Sequence, residues 1–155
     1  MVYSDAARQS LTEAFEGDVL TAYPDPGTGA EPFTIGYGHT GPDVTPGLII
    51  TQAQADALLE QDVQSAVNAV NIAVTATLTQ HQADALIDFA FNVGVANFRS
   101  STLLKLVNAG DMADADLEFA RWIRAAGKVL PGLVKRRAAE AAWFDLPDNT
   151  PEATS

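Results

Sequence analysis

The sequence predicts an α+β protein with a small β-hairpin lobe, a larger helical lobe and a cleft between them. Three observations predict it. Residues 17–48 hold most of the glycines and prolines, set around short β-prone stretches. From Thr51 onward the apolar residues recur at helical spacing. The chain has 155 residues, of which 47% are hydrophobic and 19% charged, a composition that suits one folded core.

The elements follow in order. Residues 5–16 read as a short helix with Leu11, Ala14 and Phe15 on its apolar face. The segments PDPGTGAEP and IGYGHTGPDVTPG then predict a small, irregular sheet of hairpins. TQAQ at 51–54 has the form of a capping box and opens a helix to about Val70. A second Thr-x-x-Gln, Thr79 to Gln82, opens QADALIDFAFNV, which is apolar nearly all round and predicts the buried central helix; Gly94 ends it. Further helices are predicted at about 101–109, 112–124 and 131–144, the last with Pro131 in its first turn. Residues 1–146 make one domain, and the polar run 147–155, PDNTPEATS, reads as a frayed tail.

Composition excludes several function classes. There are no cysteines, so disulfides, thiolate nucleophiles and cysteine-bound zinc are ruled out. Two histidines, His39 and His81, are too few for a rich metal cluster, though carboxylates could still bind a hard cation. Net charge is −11, from 9 Lys+Arg against 20 Asp+Glu, which argues against nucleic acid and against an anionic membrane surface as partners. No apolar run reaches the 18 or so residues of a membrane span, and the first residues lack the basic-then-apolar design of a secretory signal. Neither a phosphate-loop pattern nor a Gly-x-Ser-x-Gly elbow is present.

What remains is carboxylate chemistry. Glu16 ends the first helix, Asp25 lies nine positions on (25 − 16) in a turn, and Thr34 begins TIGYGH. Glycoside hydrolysis uses two carboxyls in unlike environments: one holds a proton for the leaving oxygen, the other stays ionised to activate water or stabilise positive charge at the sugar. On spacing alone, the ordinary readings are a solvated helix end, a turn former and a strand residue.

Four ordered segments sharpen this. FEGDVLTAYPDPGTGAEPFTIGYGHT at 15–40 resembles the active-site segment of phage-type lysozymes, the endolysin muramidases. EQDV at 60–63 resembles the start of that family's long inter-lobe helix; FNVGVANFRSSTLL at 91–104 and PGLVKRRAAEAAWF at 131–144 resemble two later segments. The resemblance implies a lysozyme-like fold that hydrolyses the β-1,4 bond between N-acetylmuramic acid and N-acetylglucosamine in peptidoglycan, with inversion. It implies Glu16 as the acid, and Asp25 with Thr34 holding the water. It further implies His39 paired with Asp62 and Asn92 touching substrate; for Tyr37 and Phe98 it suggests a place lining the cleft, with an ordinary core position the equal alternative. Lys135, Arg136 and Arg137 read most simply as a solvated patch; the functional alternatives are that one of them pairs with Glu16 or grips a wall carboxylate, and the place of the two arginines in the family's segment implies a structural ion pair near the cleft.

The chain departs from the pattern in a longer spacing, nine residues (34 − 25), between Asp25 and Thr34, and in Glu31 within it, a rival for the role of Asp25. Its acidity is unusual for a wall-degrading enzyme. A non-catalytic peptidoglycan-binding domain of the same fold and a lytic transglycosylase are the alternatives. The endolysin resemblance also implies no cofactor or metal, accumulation in the host cytoplasm and release to the wall through a separate membrane pore; a monomer is the default expectation.

Overall fold

The computed structural model describes residues 1–24, 29 and 31–147. The predicted tail therefore lies outside the described residues, apart from Pro147.

The chain enters through Ser4, whose hydroxyl caps helix α1, Asp5–Ala7, by accepting from the Ala7 amide. Ser4 also donates from its amide (3.0 Å) and hydroxyl (2.7 Å) to the buried carboxylate of Asp84, which ties the N-terminus to the central helix. From Arg8 to Glu13 the helix widens to π geometry, where a regular helix was expected. Such single-turn insertions are rare and concentrate near functional sites. Here the widened turn faces both Leu11 and Thr12 inward, at 1% and 0% exposure.

Three short strands follow: β1 Val19–Tyr23, β2 Thr34–Gly36 and β3 His39–Thr40, antiparallel in that order. Thr34 pairs with Thr40 and Ile35 with His39; the β1–β2 register shifts between Val19 and Tyr23. Fully buried Ile35 sits in β2, which packs against the next helix, α2.

Helix α2, Gln52–Ala73, joins the lobes, its first turn against β2 and its later turns in the helical core through Val63, Val67 and Val70. Both arms of its capping box form: Thr51 Oγ1 accepts from the Gln54 amide (3.1 Å), and Gln54 Oε1 accepts from the Thr51 amide (2.8 Å). EQDV thus lies in the middle of this helix rather than at its start. Helix α3, Gln80–Val93, carries the second box on Thr79 and Gln82. Every residue from Ala83 to Ala90 is buried, as its all-round apolar pattern required. Gly94 ends it at φ 98°, a conformation L side chains avoid.

Helices α4 Val95–Ser100, α5 Thr102–Asn108 and α6 Met112–Glu118 wrap this core, with a 3₁₀ turn at Phe119–Arg121. The helix expected to reach 124 therefore stops at 121. It gives way to an unexpected hairpin, β4 Arg124–Ala125 and β5 Lys128–Val129. Helix α7, Pro131–Phe144, closes the fold against α3 and has the predicted bounds. Phe89 is the hub of the core, edge-on to both Phe119 and Trp122 at 5.5 Å. Among the described residues, no helix is long and apolar enough to cross a membrane.

Candidate active site

A cleft of about 380 Å³ opens between the β2–β3 turn and the helical lobe, lined by Glu16, Gly38, Thr40, Asp62, Ser65, Ala66, Ala90, Phe91, Asn92, Gly94 and Val95. Glu16 enters it from the end of the first helix, with its side chain 21% exposed. The turn closes directly over this carboxyl. Gly38 has φ 87°, and a Cβ there would stand 2.8 Å from Glu16 Oε1. The second glycine of TIGYGHT is therefore demanded twice, by the backbone and by the approach of the carboxyl.

Behind Glu16 lies a buried relay of charge. Arg136 of α7 donates from Nη1 to Glu16 Oε2 (2.6 Å), and from Nε and Nη2 to Asp88 of α3 (3.0 and 2.7 Å). Asp88 also accepts the Thr12 hydroxyl (2.7 Å), itself bonded to the Tyr3 hydroxyl (2.8 Å). Burial alone would raise the proton affinity of Asp88, but hydrogen bonds with Glu140 and Arg136 hold it below the usual carboxylate range. Arg136 is likewise held fully charged against its burial by Asp88 and Glu16. The next residue of α7, Arg137, pairs with Glu140 one turn further on (2.6 Å), lies over the Phe89 ring at 5.3 Å and donates to Asn92 Oδ1 (2.8 Å). A cleft carboxyl with room beside it for a sugar-sized guest is placed to exchange a proton with a bound substrate.

The description "Phage lysozyme" belongs to the family model that matches residues 13–140. The chain belongs to the phage lysozyme family. It is 48% identical over 148 residues to the endolysin of Bacillus phage PZA, covering 94% of this chain and 57% of that protein. It is 40% identical over 144 residues to the SAR-endolysin of Escherichia phage Mu, covering 93% and 81%. Among solved structures, the muramidase domain of SpmX from Asticaccaulis excentricus superposes with TM-score 0.84 at 38% identity, covering 94% of this chain and 99% of that one. The chain spans about half the length of the Bacillus phage relatives, 57% and 51%.

In this member of the phage lysozyme family the expected residues divide three ways. Glu16, Asp62 and Asn92 line the cleft. His39 sits beside it, with Nδ1 2.8 Å from Asp62 Oδ2, the expected pair, and Nε2 3.0 Å from Asp43 Oδ2, a partner that sequence reasoning missed. Thr34 opens β2, opposite the cleft residue Thr40. Asp25 lies outside the described residues.

Other expectations need correction. Phe98 does not line the cleft: it is fully buried in the core, with its ring 6.5 Å from Phe89. The apolar interior of the helical lobe takes it, because Gly94 turns α4 back onto α3. Tyr37, next to Gly38 in the β2–β3 turn, packs against the core cluster, and its hydroxyl accepts from Gln52 Nε2 (3.3 Å). Glu31 lines a separate hollow with Pro32, Phe33 and the 41–46 loop. Of the three consecutive cations only Lys135 is solvated; Arg136 and Arg137 are buried at 3% and 1% exposure. Asp88 and Glu140 were missed, since a carboxylate inside an apolar helix gives no local sign of its distant partner.

Proposed function

We propose that this protein is an N-acetylmuramidase that cleaves the β-1,4 bond between N-acetylmuramic acid and N-acetylglucosamine in peptidoglycan. The observation that carries the reading is Glu16: a largely buried carboxyl that opens into a sugar-sized cleft, roofed by Gly38 and held from behind by buried Arg136. Glu16 protonates the glycosidic oxygen as the bond to the anomeric carbon breaks. Asp25, with Thr34, holds the water that attacks the opposite face, which inverts the anomeric centre. Asn92, fixed by Arg137, offers its free amide hydrogens to the bound sugar. The enzyme acts as a monomer and without a cofactor. It accumulates in the host cytoplasm and meets the wall through a pore made by a separate protein; lysis by cells expressing it with and without such a pore tests that route.

Glu16→Gln keeps the shape of the side chain and its bond from Arg136 but removes the transferable proton. General acid catalysis contributes on the order of 10²–10⁴-fold, so release of reducing ends from purified peptidoglycan falls by that order while the fold is retained. Lysis near the wild-type rate would end the reading. Mass spectrometry of the products separates hydrolysis, which leaves reducing muramic ends, from transglycosylation, which leaves anhydro ends.

A further inference from the structure

Asn92 stands at a boundary. It lines the cleft, and with Arg137, Trp122 and Arg124 it also lines a second hollow of about 360 Å³. Its side-chain oxygen accepts from Nη2 of Arg137 at 2.8 Å. A guanidinium only donates, so it selects one orientation of the amide: the oxygen turns to Arg137 and the two N–H groups turn away from it. A flipped Asn92 would set donor against donor. The guanidinium cannot follow a turning amide. Arg137 is 1% exposed, its Nη2 also donates to Glu140 Oε2 (2.9 Å), and its Nε stands 2.6 Å from Glu140 Oε1. It is further held over the ring of Phe89, which itself meets Phe119 and Trp122 edge-on. The amide of Asn92 therefore presents donors, and only donors, away from Arg137.

The surroundings of those donors define their guest. Ala66, Ala90, Phe91 and Val95 line the same cleft with apolar surface, while Thr40, Asp62 and Ser65 line it with oxygens that accept. Asp62 is steadied at Oδ2 by His39. An acetamido group has matching parts: a carbonyl oxygen for the donor, a methyl for the apolar surface and an N–H for an acceptor. A sugar hydroxyl needs no apolar neighbour. An ammonium, the group left when the acetyl is removed, would meet the Asn92 donors with donors of its own.

We infer that Asn92 reads an acetamido group of the glycan, and that Arg137, locked by Glu140 and Phe89, is the positioning residue that sets its orientation. The strand is thus recognised in its N-acetylated form. Arg137 does not touch substrate; it acts through the Asn92 amide, and a guest that finds the amide already turned does not lose affinity to the misoriented fraction. The inference rests on the muramidase reading, which is what brings acetamido groups into the cleft.

The test is a ratio. Reducing-end release at low substrate is measured on purified peptidoglycan and on the same walls after enzymatic de-N-acetylation, for wild type, Asn92→Ala, Arg137→Lys and the double variant Arg137→Met/Glu140→Gln. De-N-acetylation adds ammonium groups to the wall, but none of these variants changes the net charge, so that effect cancels between ratios. Wild type prefers the acetylated walls. One hydrogen bond is worth up to about tenfold, so Asn92→Ala lowers the preference by about that factor. Arg137→Lys keeps a cation beside Glu140 but lacks the fork that reaches Asn92 as well, and the preference falls several-fold. The double variant removes both buried charges together, which spares the fold a lone one, and loses the preference to the same extent. A merely structural Arg137 would lower both rates together and leave the ratio where it stands. No preference in the wild type, a ratio unchanged in Asn92→Ala, or one kept by the Arg137 variants overturns the inference and leaves the Glu16 reading standing. Reducing-end release retained by Glu16→Gln overturns both.

Discussion

His39 meets a carboxylate at each ring nitrogen, Asp62 at 2.8 Å and Asp43 at 3.0 Å, and only the imidazolium donates from both. Partial burial works against the charged ring, yet the hydrogen bonds of Asp62 and Asp43 win and raise its proton affinity above the ordinary histidine value. The folded-state pKa therefore exceeds the unfolded value of about 6.5, so the stability this group supplies is fully present below that pH. It is lost as pH rises through the folded pKa. His39→Asn should cost on the order of 1 kcal/mol at pH 5 and little at pH 9, read from urea melts at each pH. Equal losses would reject the double pairing. The Asp62 bond was legible because both residues sit in motif segments, whereas Asp43 lies in a Gly-Pro loop whose course no periodicity describes. The same limit hid the burial of Arg136 and Arg137. In a stretch reading VKRRAAEAA they look solvated, but Arg136 is held by Asp88, 48 residues earlier, and Glu16, 120 residues earlier, and Arg137 by Glu140 and by Asn92, 45 residues earlier.

Where local chemistry specifies an element's ends, the sequence read well. Two Thr-x-x-Gln boxes placed the starts of α2 and α3, Gly94 placed a stop and Pro131 a start, because each satisfies or blocks backbone groups within one turn. The β4–β5 hairpin escaped because its strands are two residues each and its turn, Ala126-Gly127, lacks the usual Asn-Gly or Asp-Gly signature. Both turn residues are left-handed, Ala126 at φ 52° and Gly127 at φ 79°, the arrangement of a type I′ turn. An alanine there is strained by about 1 kcal/mol, and asparagine tolerates the region better. Ala126→Asn should therefore stabilise by about 0.5 kcal/mol, raising the melting temperature by roughly 1–2 °C in a domain of this size. A lowered melting temperature would show that the turn relaxes differently from the hairpin described. The π turn at Arg8–Glu13 was equally hidden, since Leu11 and Thr12 fit a regular helix by pattern alone.

Over the whole molecule, the net charge of −11 bears on the proposed substrate, a wall polymer with carboxylates of its own. Long-range repulsion slows such an encounter, and salt screens it over a Debye length of about 10 Å at 0.1 M. The opposing element is the run of cations from Arg121 to Arg137, and the fold weakens it. Arg136 and Arg137 are buried and committed to Glu16, Asp88 and Glu140, while Arg121 is already bonded to Glu118 at 3.1 Å. That leaves Arg124, Lys128 and Lys135 as the exposed, outward cations of the run. Of these, Arg124 shares with Asn92 the lining of a hollow of about 360 Å³, and Asn92 also lines the cleft. One cation at the cleft margin is a small counterweight to the whole acidic surface. The rate of lysis of purified walls should therefore rise as ionic strength goes from about 0.01 M, where the Debye length is about 30 Å, to about 0.1 M. Arg124→Glu should steepen that rise, because it removes the local attraction and leaves the repulsion. A rate that falls monotonically with salt, and falls less in Arg124→Glu, would reject the repulsion account and make the β4–β5 hairpin the face that meets the wall.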